Sequence, residues 1–291
     1  MNDPIKILLQ TTIVTARDDW SIARFGLLAS FLRELEDSSG RPLFDVTTRD
    51  RAPPDAPDPV LSTLDRSDFD EMWLFAVDSG NGLLPEESAA ISRFWRSGRG
   101  LLVTRDHMDL GCSVCTLDGV GAAHHFHTRN LDATGPQERD DPYTTYISWP
   151  NFHSGANGDF QTIEVLGDVH PVLTDPSSPT GAIQHLPSHP HEGAVSAPEN
   201  HGARVIASGK SKVTGRRFNI AVAFEETGES GRAIAQSTFH HFVDYNWDPR
   251  AGCPSFVSEA PGDAILREAA ARASVNRYVR NVALWLARSS P

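Results

Sequence analysis

The stretch MWLFAVDSGNGLLPEESAAISRFWRSGRGLLVT, residues 72–104, decides the fold class. Met72 to Val77 is an unbroken apolar run too short for a free-standing helix, so it reads as a strand covered on both faces. SGNG is a turn, and Pro85 then sits where the first turn of a helix tolerates proline. Glu86 and Glu87 favour the positive helix start, Gly98 stops the helix, and Gly100 to Thr104 is a second covered strand. Strand, helix and strand in this order require a parallel pair joined by a crossover.

The same rhythm extends upstream. Ile5 to Leu9 reads as a first strand behind acidic Asp3, with no small-residue cleavage site of a signal peptide. Asp18 or Asp19 can cap a helix carrying Trp20, Ala23, Leu27, Phe31 and Leu35 at helical steps, and Phe44 to Val46 begins another strand. APPDAPDP, residues 52–59, is a stiff connector. The expectation is an α/β chain with a parallel sheet between helices.

From about residue 108 to 160 the rhythm fails, and the text turns to His, Gly, Asp and aromatics. A loop-rich insertion of this length, a lid or an interface, is uncommon without a functional reason. Strands resume at Gln161 to Leu166, Arg204 to Ser208, Asn219 to Phe224 and Ala233 to Gln236. A last helix runs from Asp263 to Ala287, and the whole of 1–291 reads as a single domain.

Composition narrows the function. A formal net charge of -12 with no basic stripe argues against a nucleic-acid partner. No apolar stretch reaches the roughly 18 residues of a membrane span. Three cysteines, Cys112, Cys115 and Cys253, suggest no disulfide framework and a cytoplasmic location. Neither a P-loop nor a GxGxxG turn is present, so no nucleotide cofactor is expected. A small-molecule substrate is, and a homo-oligomer is left open.

Four landmarks resemble those of ThuA-like proteins, a branch of the class I glutamine amidotransferase-like superfamily. They are GRGLLVTRDH at 98–107, VHPVLTDP at 169–176, GRAIAQSTFHH at 231–241 and the C-terminal NVALWLAR. The resemblance implies a flavodoxin-like three-layer sandwich with its pocket at the carboxyl ends of the parallel strands. It also implies a link to carbohydrate metabolism. HPHEG, residues 189–193, stands where those proteins carry an acidic pair with a tyrosine.

Three segments bring imidazole and carboxylate to that edge. RDHMDLG, residues 105–111, leaves the strand at 100–104 with Asp106, His107 and Asp109, although one aspartate can serve as a helix cap. HPHEG supplies His189, His191 and Glu192; Pro190 tends to spread the two imidazoles. STFHH supplies His240, on which the family match puts the weight, and His241 beside it, either of which can equally be a satisfied core histidine. This is the ligand set of a catalytic divalent metal, Zn, Mn, Fe or Ni. Without an ion the same groups suit acid–base chemistry. Expected roles are catalytic for Asp106, His107 and Glu192, metal-binding for His189, His191 and His240, and substrate-binding for Asp109, Trp149, Asn157, Asp159 and His241. The readings in competition are a hydrolase, lyase or isomerase of a carbohydrate-like or other polar substrate, a non-catalytic binding or accessory protein, and a cysteine-dependent hydrolase. The cysteines lie past the turn where an amidotransferase nucleophile sits, and CSVC, residues 112–115, more simply reads as buried small residues.

Overall fold

A computed structural model describes residues 3–132, 137–140, 144, 146–199 and 201–287. Positions 133–136, 141–143 and 145 of the insertion, and Arg288 of the last landmark, lie outside the described residues.

The parallel half of the sheet holds β1 (Ile5–Thr11), β2 (Phe44–Arg49), β3 (Glu71–Phe75) and β4 (Gly100–Thr104), with helix α1 (Gly26–Arg33) after β1 and α2 (Pro85–Arg96) between β3 and β4. The insertion and the segment after it add β5 (His124–His125), β6 (Phe160–Thr162), β7 (Glu164–Val165), β8 (His185–Pro187) and β9 (Ala194–Val195). The chain ends with β10 (Ala203–Lys210), β11 (Arg217–Phe224), β12 (Ala233–Gln236), α3 (Asp244–Trp247), α4 (Ala264–Arg267) and α5 (Ala269–Leu286). Among the described residues, eight strands form one sheet in the order β2-β1-β3-β4-β12-β11-β10-β7. β2, β1, β3, β4 and β12 are parallel, and β11, β10 and β7 continue antiparallel. This is a flavodoxin-like α/β sandwich with a mostly parallel sheet.

Alternation along the covered strands builds two cores. Ile7, Leu9, Trp73, Phe75 and Leu102 face α1 and α5, where Leu28, Leu32, Val275, Val279 and Val282 meet them. Leu8, Met72, Leu74, Leu101 and Val103 face α2 through Ile91, Phe94 and Trp95. Each strand residue therefore has an apolar neighbour whichever way it points, which is why these strands read as continuous apolar runs. The helix read at 85–98 starts at Pro85; Glu87 accepts from Leu84 N at 2.8 Å and pairs with Arg51 at 2.9 Å.

The structure departs from the sequence reading in four places. The strand expected over 161–166 breaks at Ile163: β6 pairs with β8, whereas β7 joins the sheet edge beside β10. The helix from Asp263 breaks at Glu268, which has an extended backbone between α4 and α5. Trp20 precedes its helix, which opens as a 3-10 turn over Ile22–Phe25. Neither Asp106 nor Asp109 caps the turn at Cys112–Thr116.

Gly100 lets the sheet and the end of α5 approach closely. A Cβ there would stand 2.6 Å from the Leu286 carbonyl oxygen. Gly100→Ala is expected to cost about 1 to 3 kcal/mol through overpacking, read as a lower urea midpoint at unchanged m-value. An unchanged midpoint would show that the end of α5 is free to shift.

Candidate functional site

β4 and β12 are adjacent and parallel, with Gln236 opposite Thr104, so the turns that follow them rise at the same sheet edge. After β4 the chain runs through Arg105 and turns sharply at Met108, whose φ is 47°. The Arg105 guanidinium is fully buried and has no carboxylate partner among the described residues. It donates to the carbonyls of His125 and Met108 and lies 3.9 Å over the Phe126 ring centre. A side chain at position 193 would collide with it, since a Cβ there falls 2.5 Å from Arg105 Cδ, so glycine follows HPHE. This packing fixes the backbone that delivers Asp106.

Asp106 meets two imidazoles. Its carboxylate oxygens lie 3.3 Å from His189 Nε2 and 4.0 Å from His240 Nε2, and all three side chains are buried. The two rings stack at 3.6 Å between centres, 10° from parallel. The Thr238 hydroxyl donates to Asp106 at 3.2 Å.

The tautomers follow from one carbonyl. Ser188 O can only accept, so the Asn246 atom 2.7 Å away is the amide nitrogen. Asn246 Oδ1 then faces His240 Nδ1 at 2.9 Å, and that nitrogen carries the proton. Asn246 Nδ2 also donates to Asn157 Oδ1 at 3.0 Å, and the same oxygen lies 2.8 Å from His189 Nδ1, which therefore is N–H too. Both Nε2 atoms are left as lone pairs aimed at a carboxylate. His189 Nε2 makes no hydrogen bond among the described residues although it is buried.

Charge states agree with this assignment. Burial, against the pull of Asp106, pushes His189 down to about 4, and burial reinforced by His189 pushes His240 well below the usual range. Burial opposes ionisation of Asp106, yet the His107 imidazole, 3.0 Å away, holds it well below the ordinary carboxylate value. Two neutral imidazoles and one carboxylate are the protonation states that metal ligands need.

The site opens into a cleft of about 510 Å³. His107 lines it with Nδ1 3.0 Å from Asp106. His191 also lines it, but its nitrogens are engaged elsewhere, Nδ1 with Asn151 Oδ1 at 2.9 Å and Nε2 with Glu259 at 3.1 Å. Pro190 thus separates the pair: the His189 and His191 rings stand 87° apart, and only His189 joins Asp106. The bond from His191 holds Glu259 down to about 2.

Other expected site residues lie elsewhere. Glu192 does not line the cleft; it is fully buried and accepts from Ser154 Oγ at 2.5 Å, from Gln161 Nε2, and from Ser237 Oγ at 2.8 Å. His241 joins this hub, 3.5 Å from Glu192 and 2.7 Å from Gln236 Nε2, and Gln236 in turn accepts from Tyr278 on α5. Of the five residues expected at the substrate, Asn157 lines the cleft. Asp109 binds Thr128, Asp159 accepts from the start of α4, and Trp149 is buried in the core. Cys112 and Cys115 do not line the cleft, and burial pushes the Cys115 thiol up to about 11 and raises that of Cys112, so a thiolate nucleophile has no support here. Glu259 and Trp20 line the cleft, and Asn246 sits behind His240, without any local sequence signal for those roles.

No protein-family model matches the chain, and no curated protein sequence matches it. Among solved structures it is similar to a ThuA-like protein from Parabacteroides merdae, with 16% identity over 90% of this chain and 96% of that one and a TM-score of 0.49. It is also similar to the Trypanosoma brucei CTPS glutaminase domain with bound acivicin, at 13% identity, 92% and 94% coverage and a TM-score of 0.46. A third is the carbohydrate deacetylase Agd3, at 11% identity, 80% of this chain but 29% of that one, and a TM-score of 0.41. Among the described residues, no helix is long and apolar enough to cross a membrane.

Glu192 satisfies several buried donors at once, so Glu192→Ala is expected to lower stability by about 3 to 5 kcal/mol, as removal of one member of a buried charged network does. Thermal unfolding measures it. A variant that keeps its melting temperature but loses activity would instead put Glu192 in the chemistry.

Proposed function

We propose that the cleft is the active site of a divalent-metal-dependent hydrolase of a small polar, carbohydrate-like substrate. The observation that carries this reading is the convergence of two Nε2 lone pairs on an ionised carboxylate, with no proton between either ring and the oxygen it faces. Like ends of dipoles and a full negative charge repel one another in a buried site, and a cation between them turns that repulsion into binding.

Asp106, His189 and His240 would hold the ion, three protein ligands with positions left for solvent or substrate, as catalytic sites require. The donor set fits Zn, Mn, Fe or Ni. Such an ion would supply Lewis acidity, polarising an oxygen of the scissile group. Asn157 and Asn246 act behind the ligands, since an imidazole whose Nδ1–H is already engaged keeps its Nε2 lone pair aimed outward. His107 faces the cleft beside this centre and is placed to carry a proton for the substrate, whereas His191, tied to Asn151 and Glu259, shapes the wall. Trp20 closes the wall next to His240, their ring centres 4.9 Å apart, and excludes water from one side of the ligand.

Metal analysis of protein purified without a histidine tag is expected to give about one equivalent of a divalent ion. His189→Ala and His240→Ala should lose it, and Asn246→Ala should weaken the affinity about 10- to 100-fold while leaving all three ligands in place. An ion-free protein whose histidine variants bind cobalt as the parent does would defeat the reading.

A further inference from the structure

The cleft carries four carboxylates, Asp19, Asp78, Asp106 and Glu259, and among the described residues no lysine or arginine lines it. Together these outweigh even a doubly charged ion on the ligand set. Three of the four are already engaged. Asp106 faces the imidazoles, Glu259 holds His191, and Asp78 accepts from Gly80 N and the Ser113 hydroxyl at 2.8 Å each. Asp19 is different. One of its oxygens accepts from Trp20 N at 2.7 Å, which fixes its orientation, and the other has no partner among the described residues.

Aromatic side chains line the same cleft. Trp20 is the next residue along the chain and stands edge-on to the His240 ring. At the rim, Tyr146 and Phe256 line the opening with 70% and 59% of their surface exposed. Carboxylate and π-faces attract the same thing, a positive charge, and an ammonium group satisfies both together. A phosphate or carboxylate on a substrate meets only like charge.

We infer that the cleft selects a substrate bearing a cationic nitrogen, with Asp19 as the specificity-determining residue that receives it beside Trp20. The inference rests on the cleft being the substrate site proposed above, but it does not require the ion. It excludes sugar phosphates and sugar acids as substrates and admits amine-bearing polyols.

The test uses three probes with one ring and different charge: glucosamine, glucose and glucuronate. Protein labelled with nitrogen-15 histidine is titrated with each, and the side-chain signals of the cleft histidines are followed, with and without prior removal of ions by chelator. Glucosamine should half-saturate the shifts at a concentration about 3- to 10-fold below glucose, the range of a partly exposed ion pair, with glucuronate weakest. Asp19→Asn, which keeps an acceptor for Trp20 N, should bring glucosamine and glucose together. Removing ions should widen the gap, because it takes positive charge out of the cleft. Glucuronate binding as well as glucosamine in the ion-free protein, an unchanged gap in Asp19→Asn, or no shift with any probe would each overturn the inference. A protein that holds no ion yet keeps the ammonium preference defeats the metal reading and supports this one; an ion-loaded protein without the preference does the reverse.

Discussion

The Ser188 carbonyl oxygen accepts from the Asn246 amide, and from that contact the state of the whole centre follows. It orients Asn246, which orients Asn157, and between them the two amide oxygens take the Nδ1 protons of His240 and His189. The reactive edges of both rings are then lone pairs, held 3.3 and 4.0 Å from Asp106. Turning the amides around would put an N–H against each Nδ1, move the imidazole protons to Nε2, and convert the same side chains into an ordinary hydrogen-bonded Asp–His cluster. The distinction between a cation site and a polar core therefore lies in atoms behind the two imidazoles.

The fold places this arrangement where ligands collect in open α/β sheets, above the carboxyl ends of the strands. β4 and β12 are hydrogen-bonded neighbours, so Asp106 and His240 need only short turns to meet. His189 comes from a different source, the loop between β8 and β9. It is secured by Ser154, which both donates to and accepts from the His189 backbone, and by the buried Glu192 hub beneath. The loop that carries His189 thus depends on side-chain hydrogen bonding, whereas the turns that carry Asp106 and His240 depend on the sheet.

Much of the sheet was legible because its central strands are covered on both faces and leave unbroken apolar runs such as MWLFAV and GLLVT. The antiparallel direction of β10 and β11 was not, since a covered strand has the same composition whichever way it points. The break at Ile163 was hidden for a related reason: both halves are extended, and only their pairing partners differ. At the site, Asp106, His189 and His240 could be nominated because each follows a strand or sits in a dense histidine tract. His191 and Glu192 share that tract yet do different work, because Pro190 turns one imidazole away and Glu192 points inward to Ser154, Gln161 and Ser237. Glu259 and Asp19, which line the cleft, and Asn246, which sits behind His240, lie far from the tract in sequence and come to the site only through tertiary packing, which no local pattern records.

The most direct test of the central claim is an anomalous difference map from crystals of untagged protein soaked with cobalt. The account predicts one strong peak bonded to His189 Nε2, His240 Nε2 and an Asp106 oxygen at about 2.0 to 2.2 Å, with both Nδ1 atoms still on their asparagines. A map with no peak there, or with cobalt seated instead between His191 and Glu259, would contradict it.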